Sequence, residues 1–148
     1  MGNPASTPIE VLLAEDDPSD VRMIKDTLNE VKSVWHLNVV QDGEEAVNFL
    51  LKRKSYLGAP SPRLVILDLN MPKKAGKEVL AEMKSNPNLM YIPVLIFSTS
   101  ENESDIFDCY ALQASAYVTK PMGRADFIAK IRDIEHYWTS ISLLSPSR

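Results

Sequence analysis

The sequence predicts an α/β fold, a doubly wound five-stranded parallel sheet with five helices. Strand-sized apolar runs alternate with amphipathic segments along most of the chain. The runs LVIL (64–67) and VLIF (94–97) are continuously apolar, which is typical of parallel strands buried on both faces. Parallel strands also need long crossovers, and the intervening segments have the length and periodicity of helices. In such a fold, ligands bind outside the carboxyl ends of the strands.

Each strand is followed by a helix whose apolar residues recur at helical spacing. The strands are predicted in IEVLLAEDD, LNVV, RLVILDL, IPVLIFS and SAYVTKP. The helices are predicted in PSDVRMIKDTLNEV, EEAVNFLLKR, KEVLAEMKS, DIFDCYALQ and ADFIAKIRDIEHYW. Asp17 before Pro18 suits an N-cap followed by proline at the first helical position. The apolar face of the first helix is formed by Val21, Ile24, Leu28 and Val31.

Composition excludes several classes of protein. The chain has 148 residues, enough for one domain with a real core, and is 45% hydrophobic and 24% charged. A formal net charge of −4 gives no electrostatic basis for nucleic acid as the main partner. No apolar run reaches the ~20 residues that span a bilayer, and no secretion signal opens the chain. With Cys109 as the single cysteine, no intramolecular disulfide can form, and a cytoplasmic location is expected.

Polar side chains follow four of the predicted strands. Glu15 and Asp16 follow the first strand, Asp68 the third, Ser98 closes the fourth, and Lys120 follows the fifth. Because parallel strands end at the same edge of a sheet, these side chains are expected to lie together. Three carboxylates in one cleft repel each other unless a cation joins them, and Mg²⁺ prefers such oxygen ligands. The three negative charges then balance those of Mg²⁺ and the lysine.

A charge-balanced site with an open metal position suits phosphoryl transfer, which mainly needs positioning and neutralisation of oxygens. Asp68 is the candidate nucleophile, since carboxylates can form aspartyl phosphates. Mg²⁺, Lys120 and the Ser98 hydroxyl are expected to hold the phosphoryl oxygens. The backbone carbonyl of Asn70 is expected to complete the metal shell.

Four motifs in order, LLAEDD, LDLNMPKKAG, IPVLIFS and SAYVTKP, give the chain a family resemblance over residues 9 to about 135. The chain resembles a response-regulator receiver domain of two-component signalling, which implies a flavodoxin-like fold. Three further segments, KRKSYLGAPSP, LNMPKKAGKEVLAEMKSNPNLMYIPV and IRDIEHYW, are similar to the single-domain regulators that serve cyanobacterial phytochromes.

The resemblance implies a signalling switch rather than an enzyme. By it, Asp68 accepts a phosphoryl group from a histidine kinase, here a cyanobacterial phytochrome, while Glu15 and Asp16 bind the metal. Lys120 corresponds to the family's lysine, and its bond to Pro121 is expected to be cis.

The resemblance also implies a pair of switch residues, Ser98 and Tyr117. Phosphorylation would draw the Ser98 hydroxyl inward, and Tyr117 would move into the vacated space. Three positions depart from the family pattern. Ser98 replaces a more usual threonine, Met122 a common phenylalanine, and Gln113 a glycine that often ends the fourth helix.

The predicted organisation is a flexible lead-in at 1–8, the receiver domain at 9–135 and an extension of the last helix with a tail at 136–148. Trp138, Ile141 and Leu144 continue the apolar pattern beyond the usual end of a receiver. Exposed apolar surface of that kind suggests a homodimer formed by the fourth helix, the fifth strand, the fifth helix and the extension. The alternative is that the tail folds back onto its own domain.

Two other functions remain open alternatives. A hydrolase of the haloacid-dehalogenase type would carry a second aspartate two places after Asp68, where this chain has Asn70. A receiver-like scaffold without phosphorylation would keep the fold alone.

Two interpretations also remain open for the acids near the first strand. A purely structural interpretation of Glu15 and Asp16 is that they are acids placed at a helix N-terminus. Asp20 is open between helix capping and the edge of the site.

Overall fold

Five parallel strands form one sheet in the order β2-β1-β3-β4-β5 in the computed structural model, which describes residues 8–146. The strands are β1 (Ile9–Ala14), β2 (Trp35–Val40), β3 (Leu64–Leu67), β4 (Val94–Ser98) and β5 (Ala116–Thr119). The helices are α1 (Pro18–Glu30), α2 (Gly43–Leu51), α3 (Gly76–Ser85), α4 (Glu103–Ala111) and α5 (Arg124–His136). A short 3₁₀-helix (Lys54–Tyr56) and a π-helix (Tyr137–Ile141) complete the elements. The predicted fold class is confirmed.

The central strands are apolar throughout because both faces of the sheet are covered. One buried cluster lies under α2, α3 and α4, and it includes Leu12, Val65 and Ile96. The other lies under α1 and α5, and it includes their strand neighbours Val11, Ile66 and Leu95. Successive strand residues point to opposite faces, so each run must be apolar at every position.

Short polar side chains set the starts of three helices. Asp17 accepts a hydrogen bond from the backbone N–H of Ser19 at 2.9 Å, which confirms it as the cap of α1. Asp42 caps α2, and Asn102 caps α4. The Asn102 cap starts α4 at Glu103, two residues before the predicted start, and α4 ends at Ala111 rather than Gln113. Of the predicted face of α1, Ile24 and Leu28 are buried, whereas Val31 lies past the helix end and is exposed.

The topology brings the candidate site residues to one edge. From β1 the chain turns outward to β2 and then returns to the other side of β1 as β3, so β1 and β3 are neighbours. Ala14 is paired with Leu67, which places Glu15 level with Asp68. Ser98 is paired with Thr119, and Lys120 follows directly, donating its backbone N–H to the Ser98 carbonyl at 2.7 Å.

Two expectations are corrected in this part of the chain. The Lys120–Pro121 bond is trans, since residues 8–146 contain no cis peptide bond; trans is the form that even X–Pro bonds favour. The expected exposure of the tail is wrong for Trp138 and Leu144, which pack against the cluster under α1 and α5. Arg63, just before β3, holds this return by donating from Nε to the Ser145 carbonyl at 3.0 Å.

The remaining organisational predictions are only partly within reach. The lead-in at 1–8 lies outside the described residues apart from Pro8, and the last two residues of the tail do also. The boundary at 135 stays a prediction, because α5 runs through it to His136. In the described range 8–146, no helix has both the length and the apolar character needed to cross a membrane.

Candidate functional site

A buried lysine lies at the centre of the carboxyl edge of the sheet. The Lys120 Nζ donates to Glu15 Oε1 at 2.6 Å, to Asp20 Oδ2 at 2.8 Å and to Asp68 Oδ2 at 3.4 Å. The Nζ also lies 5.9 Å from the centroid of the Phe97 ring. Only 6% of the lysine side chain is exposed, so a charge partner is needed to keep its ammonium in place.

Three carboxylates beside this lysine form a compact acidic cluster. Glu15, Asp16 and Asp68 each offer an oxygen, and these oxygens all lie within 4.8 Å of one another. Glu15 and Asp68 are buried, whereas Asp16 is exposed, so the cluster opens to solvent on one side. Hard carboxylate oxygens in this arrangement fit a divalent cation such as Mg²⁺ or Mn²⁺.

Burial and mutual repulsion make the cluster electrostatically unusual. Burial raises the pKa of Glu15, the hydrogen bond from Lys120 opposes this and the nearby charge of Asp68 adds to it, so that the net pKa is about 7. For Lys120, burial lowers the pKa, but the hydrogen bonds to Asp20 and Glu15 outweigh it and the net shift is upward. With Asp16 included, four carboxylates face one ammonium. A divalent cation therefore relieves repulsion that the protein alone leaves in place.

The backbone around Asp68 is held by a close approach of α3. The N–H of Gly76 donates to the Leu69 carbonyl at 2.9 Å. A Cβ at position 76 would lie 2.3 Å from the Asp68 carbonyl oxygen and 2.8 Å from the Leu69 Cα. Only glycine fits there, which is the physical reason for a glycine eight positions after the aspartate. Asn70 lies two residues after Asp68 and is exposed. Its backbone carbonyl is therefore close to the cluster along the chain.

Ser98 and Tyr117 are connected through Ser100. Ser98 is fully buried, and its Oγ accepts the backbone N–H of Ser100 at 3.2 Å. The Tyr117 hydroxyl donates to the Ser100 carbonyl at 2.9 Å, and burial raises the pKa of that hydroxyl. The Tyr117 backbone N–H donates to the hydroxyl of Tyr110 on α4 at 3.1 Å. A shift of Ser98 can thus be transmitted to Tyr117, and from Tyr117 to α4.

Sequence reasoning left two features of this edge unassigned. Asp20 lies against Lys120 rather than only near the helix start, and the signal for it was an extra acid on the first turn after an acid pair. Lys77 on α3 pairs with Asp105 at 2.7 Å and Asp108 at 2.8 Å, which ties α3 to α4. Nothing in the sequence pattern alone matched these charges to one another.

A model of the response regulator receiver domain matches residues 11–132. The chain belongs to this family of signalling proteins, as the four motifs predicted.

Its relatives include regulators linked to phytochromes. The response regulator Rcp1 of Synechocystis sp. is 38% identical over 138 residues, covering 93% of this chain and 94% of that protein. A crystal structure of the Mn²⁺-bound form of Rcp1 has a TM-score of 0.90, with 94% of this chain and 100% of that chain covered. The phosphorylated cyanobacterial phytochrome response regulator RcpA has the same TM-score at 40% identity, covering 94% and 99%. The predicted likeness to this group is confirmed.

Proposed function

We propose that this chain is a phosphorylation-controlled switch whose Asp68 accepts a phosphoryl group from a histidine kinase in the presence of Mg²⁺. The observation that carries the proposal is the placement of Asp68 between a buried ammonium and two further carboxylates. Its Oδ2 lies 3.4 Å from Lys120 Nζ, and its carboxylate shares the acidic cluster with Glu15 and Asp16. The Mn²⁺-bound form of the relative Rcp1 supports a divalent cation in such a cluster.

The transfer follows from the roles that these side chains can take. A carboxylate oxygen of Asp68 attacks the phosphorus of a phosphohistidine, an O–P bond forms, the P–N bond breaks, and its electron pair returns to the imidazole. Lys120 donates to one phosphoryl oxygen and the Ser98 hydroxyl to another. Glu15, Asp16, Asp68 and the carbonyl of Asn70 would hold Mg²⁺, which when bound neutralises the clustered negative charge.

The output of the proposed switch is a changed surface rather than a released product. Ser98 moves toward the phosphoryl group, and the hydrogen bonds through Ser100 carry that movement to Tyr117 and Tyr110. Phosphorylation then shifts the balance between two arrangements of α4 and β5, each of which already exists in the unmodified protein. In this proposal the chain assists its own phosphorylation and dephosphorylation.

The proposed kinase is a phytochrome of cyanobacterial type. Support comes from the similarity to RcpA and to the regulator RPA3017 in red light signalling of R. palustris, which is 30% identical with a TM-score of 0.85. We propose a cytoplasmic location, where a kinase of this kind would deliver its phosphoryl group.

A homodimer through α4, β5, α5 and the extension remains part of the proposal. Phe107 and Tyr110 on α4 are 71% and 50% exposed, and Ile141 beyond α5 is 64% exposed. These side chains offer apolar surface that a second copy would cover. Sedimentation across a wide concentration range should show a dimer, with and without beryllofluoride; a monomer throughout would overturn it.

The decisive experiment is the intact mass of the protein after incubation with acetyl phosphate. We expect a gain of one phosphoryl group that requires both Mg²⁺ and Asp68, so that it disappears in EDTA and in Asp68→Asn. Asp26→Asn, an exposed acid on α1, is the matched control and should be phosphorylated like wild type.

No gain in folded wild-type protein, with a beryllofluoride complex also absent, would favour a scaffold that keeps the fold without the chemistry. Hydrolysis of the haloacid-dehalogenase type is not supported, because Asn70 stands where that chemistry needs an aspartate.

A further inference from the structure

We propose that Asp20 is a positioning residue that shares the Lys120 ammonium with the metal ligands and keeps it when Mg²⁺ binds, so that the lysine competes less with Mg²⁺. The inference rests on the proposed function, because it requires Mg²⁺ to bind the acidic cluster. It assigns a role to a fourth carboxylate, which lies outside the set of three that could ligate the ion.

The Asp20 carboxylate is hydrogen-bonded to Lys120 rather than to the backbone at the start of α1. The cap of α1 is Asp17, whose Oδ1 accepts the N–H of Ser19 at 2.9 Å and that of Asp20 at 3.4 Å. The Asp20 carboxylate is therefore not needed for capping. It turns into the site, where its Oδ2 accepts from Lys120 Nζ at 2.8 Å, and only 15% of the side chain is exposed.

The three carboxylate partners of Lys120 differ in whether they could also bind a metal ion. Glu15 and Asp68 belong to the cluster that fits a divalent cation, whereas Asp20 does not. An ammonium has three N–H donors, and here they are shared among these three carboxylates. When a dication approaches Glu15 and Asp68, it repels the ammonium and draws on the same oxygens. Asp20 is then the partner that remains wholly available to the lysine.

Removal of Asp20 should therefore strengthen the hold of Lys120 on the metal ligands. An ammonium released from Asp20 gains most by moving onto Asp68 and Glu15, because only 6% of the lysine side chain is exposed to solvent that could replace the lost partner. Mg²⁺ must then displace a charge-assisted hydrogen bond before it can bind. The structure thus predicts weaker Mg²⁺ binding without Asp20, and it predicts that the weakening depends on Lys120.

A double-mutant cycle with Mg²⁺ alone separates this role from a general effect of charge. Mg²⁺ affinity is measured by calorimetry, without a phosphodonor, for wild type, Asp20→Asn, Lys120→Met and the double variant. We expect Asp20→Asn to weaken binding about tenfold when Lys120 is present and less than about threefold in Lys120→Met. Asp20→Glu keeps the carboxylate and should recover most of the wild-type affinity.

A charge that acts only through the overall field would weaken binding equally in both backgrounds, and that result would overturn the proposal. Unchanged affinity in Asp20→Asn would do the same. Asp26→Asn, with the same change of charge on an exposed part of α1, should bind Mg²⁺ like wild type. If Asp20→Asn does not fold, Asp20→Ser takes its place in both backgrounds. Wild type that fails to bind Mg²⁺ would instead contradict the proposed function itself.

Discussion

Two glutamates at opposite ends of β1, Glu10 and Glu15, lie in contrasting surroundings. Glu10 lies near the amino end of β1, where its Oε1 is 2.7 Å from His36 Nδ1 and accepts from Asn38 Nδ2 at 2.9 Å. Glu15 directly follows the carboxyl end of the same strand and is almost wholly buried beside Lys120 and Asp68. Both have a cationic or polar partner within hydrogen-bond distance.

The pKa of the two groups moves in opposite directions. Burial raises the pKa of Glu10, but the hydrogen bonds from Asn38 and His36, together with the charge of His36, outweigh it and the net shift is downward. Burial raises the pKa of Glu15 to about 7, and even its bond to the Lys120 ammonium does not reverse this. The ionised form of Glu10 is therefore stabilised at the amino end, whereas the ionised form of Glu15 is disfavoured at the carboxyl end. A cation that binds Glu15 would stabilise its ionised form, so the carboxyl end is suited to a metal.

The largest expected effect is a loss of Mg²⁺ affinity when the glutamate at the carboxyl end of β1 is changed. Glu15→Gln removes one of the three carboxylates of the cluster and should weaken Mg²⁺ binding about 100-fold at pH 7.5, the upper range for groups that support a metal. Glu10→Gln removes the same charge from the other end of β1 and should leave the affinity within about twofold, because solvent screens it there. Calorimetric titration of both variants measures this. Equal losses would mean that net charge, not position, controls binding.

The same pair of variants tests the pH dependence. Mg²⁺ binds the ionised form of Glu15, so wild-type affinity should fall by up to about tenfold per pH unit below pH 7 and level off above it. Glu15→Gln should lose this step, and Glu10→Gln should keep it. Without metal, ionisation of Glu15 has the opposite effect and lowers the stability of the fold, because the folded-state pKa of Glu15 lies above its ordinary value of 4.5. The stability that this group contributes is complete below pH 4.5 and is lost as pH rises through 7.

Two glycines near opposite ends of β3, Gly76 and Gly58, differ in how closely other backbone atoms approach them. Gly76 approaches the carboxyl end so closely that a Cβ would lie 2.3 Å from the Asp68 carbonyl oxygen. Gly76→Ala should lower the free energy of unfolding by about 2–3 kcal/mol in urea, since backbone atoms must shift to make room. Gly58 lies in the loop before β3, with nothing within 4 Å of its Cβ direction. Gly58→Ala should change the stability by less than about 0.5 kcal/mol, and a similar cost at both glycines would contradict the tight approach.

The carboxyl end was also the end that the sequence predicted best. Continuous apolar strands predict a sheet buried on both faces, and the polar residue after each strand must then lie at the shared edge. This reasoning needs no knowledge of side-chain direction, and it brought Glu15, Asp68 and Lys120 together correctly. Asp20 was left open because the contact depends on how α1 is rotated about its axis. Helical periodicity fixes which residues share a face, but not which neighbour a given acid will meet.

At the amino end, sequence patterns were less informative. The sequence left the apolar tail open between an exposed dimer surface and a return onto its own domain, and Trp138 and Leu144 make that return. The hydrophobicity of these side chains predicts that they are buried from solvent, but it does not predict whether the same chain or a second copy buries them. The return depends on the Arg63 guanidinium meeting a backbone carbonyl some eighty residues later, which no local pattern predicts.

The smallest expected effect concerns a departure from the family pattern at this amino end. Gln113 links α4 to β5 with a φ of 73°, so the left-handed backbone that glycine favours is occupied by a residue with a side chain. Gln113→Gly should raise the free energy of unfolding by about 1 kcal/mol in urea. Lys25→Gly, on the exposed face of α1, should lower it by about the same amount, because glycine in a helix interior costs backbone entropy. Gln113→Gly should leave Mg²⁺ affinity unchanged, since it lies just before the amino end of β5 and away from the carboxyl edge. Destabilisation by glycine at both positions would show that Gln113 is held by contacts that outweigh its backbone strain.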